Sequence, residues 1–274
     1  MYKSKPLYKL LDWIDINELD WRCLSMNPNA ITLLEENPDK IFWGAMSYNP
    51  NAIHLLEQNP DKINWCCLSR NPNAIHLLEK NQDKIDWGML SQNPNAIDLI
   101  KKNPSYRKKN NDWSMLSTNP NAIHLLQQKP DKIDWFWLSS NPSAIDLIEK
   151  NLDKLLDWHN LSENPNAITL LEENPDKINW HKLSLNPNAI PLLEKNPVKI
   201  SWWGLSTNPN AIPLLEKNPD KISWKWLSEN PSIFEIDYKT MKKQMVDIFC
   251  EELMMVVFHP KRISAWLDAG FEDF

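Results

Sequence analysis

The stretch Asn49-Pro50-Asn51-Ala52-Ile53-His54-Leu55-Leu56-Glu57-Gln58-Asn59-Pro60-Asp61-Lys62-Ile63-Asn64-Trp65-Cys66-Cys67-Leu68-Ser69-Arg70 is one beat of a cycle. Its tryptophan returns at 21, 43, 65, 87, 113, 135, 158, 180, 202 and 224, in steps of 22 residues apart from one of 26 and one of 23. A period this short describes one small unit stacked on copies of itself. It overrides the one or two domains that 274 residues would otherwise suggest.

Within the unit, Ala52, Ile53, Leu55 and Leu56 cover most of one short helix, and Ile63, Trp65 and Leu68 mark a stripe of another. That spacing is helical. The residue before each Trp is Asp, Asn or Ser in nine units of ten, Phe42 being the exception, which makes it an N-cap column. Asn or Ser also precedes each Ala, as at Asn29, Asn51, Ser143 and Asn188. Pro191 and Pro213 decide where the second helix starts. Inside the helix each would delete a hydrogen bond at about 3 kcal/mol, whereas in the first turn its missing N–H has no partner to lose. The expectation is therefore a cap at Asn188 and its equivalents, with the Asn-Pro pairs as turns. The fold class is all-α: a superhelical solenoid of about ten units, each of two short helices, one of them 3₁₀ in part. Helices of two turns are marginal alone, so stacking must stabilise them.

Residues 1–20 read as an N-terminal cap, 21–230 as the solenoid and 231–274 as a C-terminal helical cap. The last contains an amphipathic stretch from Lys239 to Phe258, with Met241, Met245, Ile248, Phe249, Leu253 and Val256 at helical spacing, ahead of a short segment that ends at Gly270. The 26-residue step inserts Lys101, Lys102, Arg107, Lys108 and Lys109 into an otherwise acidic chain. It reads as a solvated loop or as a contact for phosphate, nucleic acid or an acidic partner.

The net charge of −6 argues against a general nucleic-acid binder. Only four glycines occur, which removes phosphate-cradling loops and dinucleotide fingerprints. Cys23, Cys66, Cys67 and Cys250 have neither metal-type nor disulfide-framework spacing and suit a reducing compartment. No apolar run reaches 18 residues and no apolar leader opens the chain, so the expected location is intracellular, without a membrane partner.

Repeated chemistry is mostly stacking chemistry. The Trp column reads as a core spine rather than a stacking platform for bases or sugars. His54, His76 and His124 share one position and His159 and His181 another, but units about 8–10 Å apart cannot converge on one zinc. Glu35, Glu57 and Glu79 head one charged column and Lys40, Lys62 and Lys84 another, expected as surface ion-pair ladders. The Ser column, Ser25 to Ser228, reads as backbone satisfaction near the turns. No constellation converges once, so neither a catalytic site, a metal site nor a cofactor is expected.

Function must lie where the units differ, chiefly at the two residues after each Trp. Phe136, Trp137, His159, Asn160, His181, Lys182 and Trp203 form a candidate groove for a protein or peptide. The expected role is a non-catalytic scaffold or adaptor. Nucleic-acid or phosphate binding through residues 101–109 and a structural place in a virion are the alternatives.

The Asn-Pro and Leu-Leu rhythm resembles leucine-rich variant repeats, which implies α-helices alternating with 3₁₀-helices; those repeats lack this fixed Trp. The phrase Trp-x-x-Leu-Ser-x-Asn-Pro-Asn-Ala-Ile-x-Leu-Leu-Glu, with the ending Phe258-His259-Pro260-Lys261-Arg262-Ile263, Trp266-Leu267 and Gly270-Phe271, is similar to tandem-repeat proteins of giant DNA viruses. That resemblance covers nearly the whole chain and implies a protein made inside an infected protist, in host cytoplasm or virion. It brings no catalytic residues.

Overall fold

The computed structural model describes residues 6–103, 111–154, 158–259 and 261–264, and their side chains except at 111, 112, 247–249, 251, 252, 256 and 257. The chain divides into two compact units, Leu11–Phe234 and Met1–Leu10 with Glu235–Phe274. The first holds the repeats, and it is the all-α short-helix array that the periodicity implies.

Most repeats run through three or four helical pieces where two are expected. In one of them, a helix at Trp65–Arg70 is followed by a helix at Ile75–Lys80 and a 3₁₀ turn at Gln82–Lys84. Asp20, Asn64, Asp86, Asp134 and Asn179 cap their Trp helices as expected, each accepting from the backbone N–H three residues on. Ser201 and Ser223 occupy cap positions, but their hydroxyls do not cap the helix. Pro191 and Pro213 sit in the first helical turn.

The second cap column is a correction. Ala189, not Asn188, precedes the helix Ile190–Glu194, and no side chain caps it. Asn188 instead donates its amide to the Pro165 carbonyl of the preceding unit at 2.9 Å. The capping oxygen belongs to the Asn of the Asn-Pro pair: Asn186 accepts from the Asn188 N–H and starts a 3₁₀ turn at Pro187–Ala189. A short 3₁₀ entry relocates the cap three residues earlier than an α-helix beginning at Ile190 would need.

The same Asn holds the stack together. Asn49 donates its side-chain amide to the carbonyls of Ser25 and Asn27 at 3.2 and 2.8 Å, and the pattern recurs unit after unit up to Asn230 on Ser206 and Asn208. These asparagines are buried. Each Ser hydroxyl donates to the carbonyl of its own Trp, as Ser69 does to Trp65, and accepts the N–H of the next unit's cap residue, as from Asp86. One Asn and one Ser per unit thus satisfy backbone groups that stacking removes from water, each worth about 1–3 kcal/mol if orphaned. Between them, Leu24, Met46, Leu68, Leu90 and their equivalents are fully buried.

The superhelical path returns on itself. Asn27 of the first unit donates to the carbonyls of Ser228 and Asn230 of the last at 3.0 and 2.9 Å, and the Asp20 N–H to the Ser228 hydroxyl at 2.9 Å. Asn29 donates to Pro231 at 2.9 Å. These repeat the bonds of the internal junctions, so ten units close into a circle. Around the seam, Leu11 donates to the Ile233 carbonyl and Trp13 packs beside Trp224, centroids 6.4 Å apart. Residues 11–20 and 231–234, expected in terminal caps, therefore belong to the closed body.

In the other unit, a two-stranded sheet pairs β1 (Tyr8–Leu10) with β2 (Phe234–Ile236). Lys9 meets Glu235 at 2.8 Å. A helix spans Tyr238–Val257, capped by Asp237, whose carboxyl is held below the usual range by hydrogen bonds from Thr240. Met245, Leu253, Met254 and Met255 are exposed along it. Of the residues read from sequence near this end, the side chains of Ile248, Phe249 and Val256, and Gly270 altogether, lie outside the described residues.

Candidate functional site: the inner wall of the closed array

The Trp column is not the core spine the spacing suggests. All ten array tryptophans are only partly buried; the fully buried places go to the Leu, Met, Ser and Asn around them. Seven of the indoles instead receive a lysine of the following unit: Lys40 over Trp21, Lys62 over Trp43, Lys84 over Trp65, Lys154 over Trp135, Lys177 over Trp158, Lys199 over Trp180 and Lys221 over Trp202, at 4.4–5.1 Å from ammonium to ring centroid. The Lys column thus makes cation–π contacts where ion pairs were expected. Glu35 and Glu57 meet His54 and His76 of the next unit, and among the described residues no ion pair joins the Glu and Lys columns.

Which wall the variable residues occupy follows from spacing. At six junctions consecutive Trp helices pack directly, as Trp21–Met26 does on Trp43–Met46 and Trp65–Arg70 on Trp87–Gln92, whereas among the described residues no two consecutive Ile-led helices pack as closely. In a closed circle the more tightly spaced row has the smaller radius, so the Trp helices form the inner wall. On an α-helix the first, second and fifth residues after Trp lie opposite the buried Leu and Ser. Those three variable positions therefore line the inside.

They also touch across junctions. The first residue after Trp reaches the next unit's cap: Ser114 donates to Asp134 at 2.6 Å, His159 Nδ1 meets Asn179 at 2.8 Å, and His181 Nδ1 meets Ser201 at 2.9 Å. The second reaches back to the residue after the preceding Ser, as in the Lys182–Glu163 ion pair. The inner wall is a continuous belt, not ten separate patches.

The proposed groove residues all lie on this belt, with different fates. Phe136 and Trp137 are 43% and 38% exposed and meet edge to face at 5.4 Å. Asn160 is buried and donates to the Phe136 carbonyl, a structural role that takes it out of the groove. His159 is partly buried against its cap partner, and Lys182 is engaged with Glu163. His181 is exposed and stacks on Trp203, centroids 4.8 Å apart and planes 11° from parallel; Trp203 then meets Trp226 edge-on at 4.9 Å. Gly204 permits this approach, since a Cβ there would lie 3.1 Å from the His181 carbonyl oxygen and 3.3 Å from the Ser184 Cβ.

Two further residues extend the site: Trp226, and Lys225, whose ammonium lies over the Trp226 indole at 5.2 Å. Both occupy the variable pair of the last unit, so their column position was the available signal. Circular closure then makes the exposed Arg22 of the first unit their neighbour, which linear order conceals. The wall is lopsided: Gly44-Ala45, Cys66-Cys67, Gly88-Met89 and Ser114-Met115 give a smooth half, and Phe136 to Trp226 an aromatic and cationic half.

Titration is perturbed mainly at the seam and beside the paired cysteines. Burial, then the nearby Glu229 and Asp20 carboxylates, push the Cys23 thiol up to about 12. Burial likewise raises Glu229, which hydrogen-bonds Cys23 across the closing junction. Cys66 is raised by burial and by Asp86, and Tyr48 by burial and Cys67. Thiols shifted this way are poor nucleophiles.

Of the basic insertion, Lys101 and Lys102 end the helix Ile97–Lys102, with Lys101 at 4.0 Å from Asp98. Arg107, Lys108 and Lys109 lie outside the described residues. Among the described residues, no helix is long and apolar enough to cross a membrane. Comparison with known proteins finds no family model, no curated protein and no solved structure that matches the chain.

Proposed function

We propose that the closed array is a non-catalytic scaffold whose aromatic inner half-wall binds a protein or peptide. The observation that carries this reading is the division of labour within each unit. The constant Asn, Ser, Trp and Lys are consumed by junctions, while Phe136, Trp137, His181, Trp203 and Trp226 keep exposed or half-exposed faces on one side of the belt. Aromatic anchors set in a polar surround are what protein interfaces use most. The resemblance to giant-virus repeat proteins supports reading it as a viral adaptor acting inside the host cell, a role separable from a virion component by proteomics of purified particles.

Selection of a random peptide library on the immobilised protein tests the reading. The expected outcome is an enriched peptide family whose affinity falls at least tenfold with Trp137→Ser and with Trp203→Ser, circular dichroism being unchanged. Peptides that bind both variants as well as the parent would sink it. Binding of single-stranded RNA that weakens steeply with salt would instead favour the nucleic-acid alternative.

A further inference from the structure

The unit after the 26-residue step departs from its siblings at three linked places. Elsewhere the residue before the Lys-ended 3₁₀ turn is Asn, whose amide donates to the carbonyl four residues back: Asn37 to Leu33, Asn81 to Leu77 and Asn174 to Leu170, at 2.8–2.9 Å. Here it is Lys129, which makes no such bond. Gln127 stands in the column of Glu35, Glu57 and Glu79, removing a negative charge. Lys132 does not lie over Trp113, although seven other lysines of its column cover the indole before them.

Beside Trp113, over which no lysine lies among the described residues, there is a cleft of about 390 Å³. Trp113 gives it a flat aromatic wall, and the nearly buried Leu116 and Leu125 an apolar floor. Lys129, Lys132, Gln128 and Asp131 stand around its mouth. The volume lies within the range that holds small organic ligands. Two ammoniums against one carboxylate favour an anion, and an indole lining the cleft favours a flat ring. We propose that this cleft binds a small planar aromatic or heteroaromatic ring carrying a phosphate or carboxylate, the ring stacked on Trp113 and the anion between Lys129 and Lys132. The site is independent of the inner-wall peptide reading.

Calorimetric titration of the full chain with adenosine 5′-monophosphate and with indole-3-acetate tests it, against adenosine, inorganic phosphate and acetate as controls. Saturation-transfer NMR reports contact with the ligand ring. Submillimolar binding of at least one ring anion is expected, with at least tenfold weaker binding of the matching neutral ring or bare anion. Lys129→Asn, which installs the residue its siblings carry and so preserves the fold, is expected to weaken binding at least tenfold, and Lys132→Gln severalfold. Binding unaffected by Lys129→Asn, or equal binding of adenosine or of inorganic phosphate, overturns the assignment, as does no submillimolar binding of either ring anion.

Discussion

At the residue scale the array rests on asparagine. Asn141 donates to the Ser117 and Asn119 carbonyls inside the protein and accepts from the Ser143 N–H nearer the surface. Asn141→Ala orphans those groups, and the expected cost is about 2–3 kcal/mol in a urea titration. Asn27→Ala breaks the same bonds at the seam and is expected to cost a similar amount. A cost near zero for Asn27 alone would show that closure adds nothing to stability. Glu229 sets the pH response of that seam. Burial raises its folded-state pKa, so the folded chain binds a proton more readily than the unfolded one. Stability therefore rises as pH falls from neutral toward the ordinary carboxylate range, below which both states are protonated. Glu229→Gln is expected to raise the neutral-pH midpoint and flatten that slope; an unchanged slope refutes the assignment.

At the scale of elements, seven of the 3₁₀ turns aim a lysine at the previous Trp helix. Lys84→Ala, which uncovers Trp65, is expected to lower stability by about 0.5–1 kcal/mol in chemical denaturation. Lys132→Ala has no indole contact to lose and should fall within error of the parent; equal costs would mean the lysines act through something other than the rings. Helix type, the Trp-helix caps and the early prolines were legible in the sequence because each depends on residues within one turn. The Asn188 column was misread because a side chain bonding the preceding unit and one capping its own helix have the same composition. The Trp column was misread likewise: recurrence identifies a stacking residue but not what covers its face, and here that is a lysine 19 positions later.

At the scale of the molecule, closure makes the number of units matter. Ten units must each turn the chain by about 36° to meet, and nine by about 40°. Deleting residues 158–179 removes one whole beat, and the expected result is a strained or opened array with a lower melting temperature and a larger radius of gyration per residue in X-ray scattering. A nine-unit protein as compact and as stable as the parent would show that the circle tolerates a missing unit. Closure also explains how much of the site could be foreseen. Phe136, Trp137, His181 and Trp203 were found because variation stands out against constancy, but the junction of Arg22 with Lys225 and Trp226 spans the whole length of the array and leaves no local trace.

By itself the sequence determined the unit, its helices, its buried Leu and Ala, and the positions left free to vary, because all of these follow from short-range periodicity and hydrogen-bonding capacity. Only the tertiary structure decided that the array closes, that the Trp helices form the inner wall, and that one cleft lies open beside Trp113. Those outcomes depend on a small turn per unit summed over ten units, and on which partner each side chain meets across a junction. No single repeat contains either.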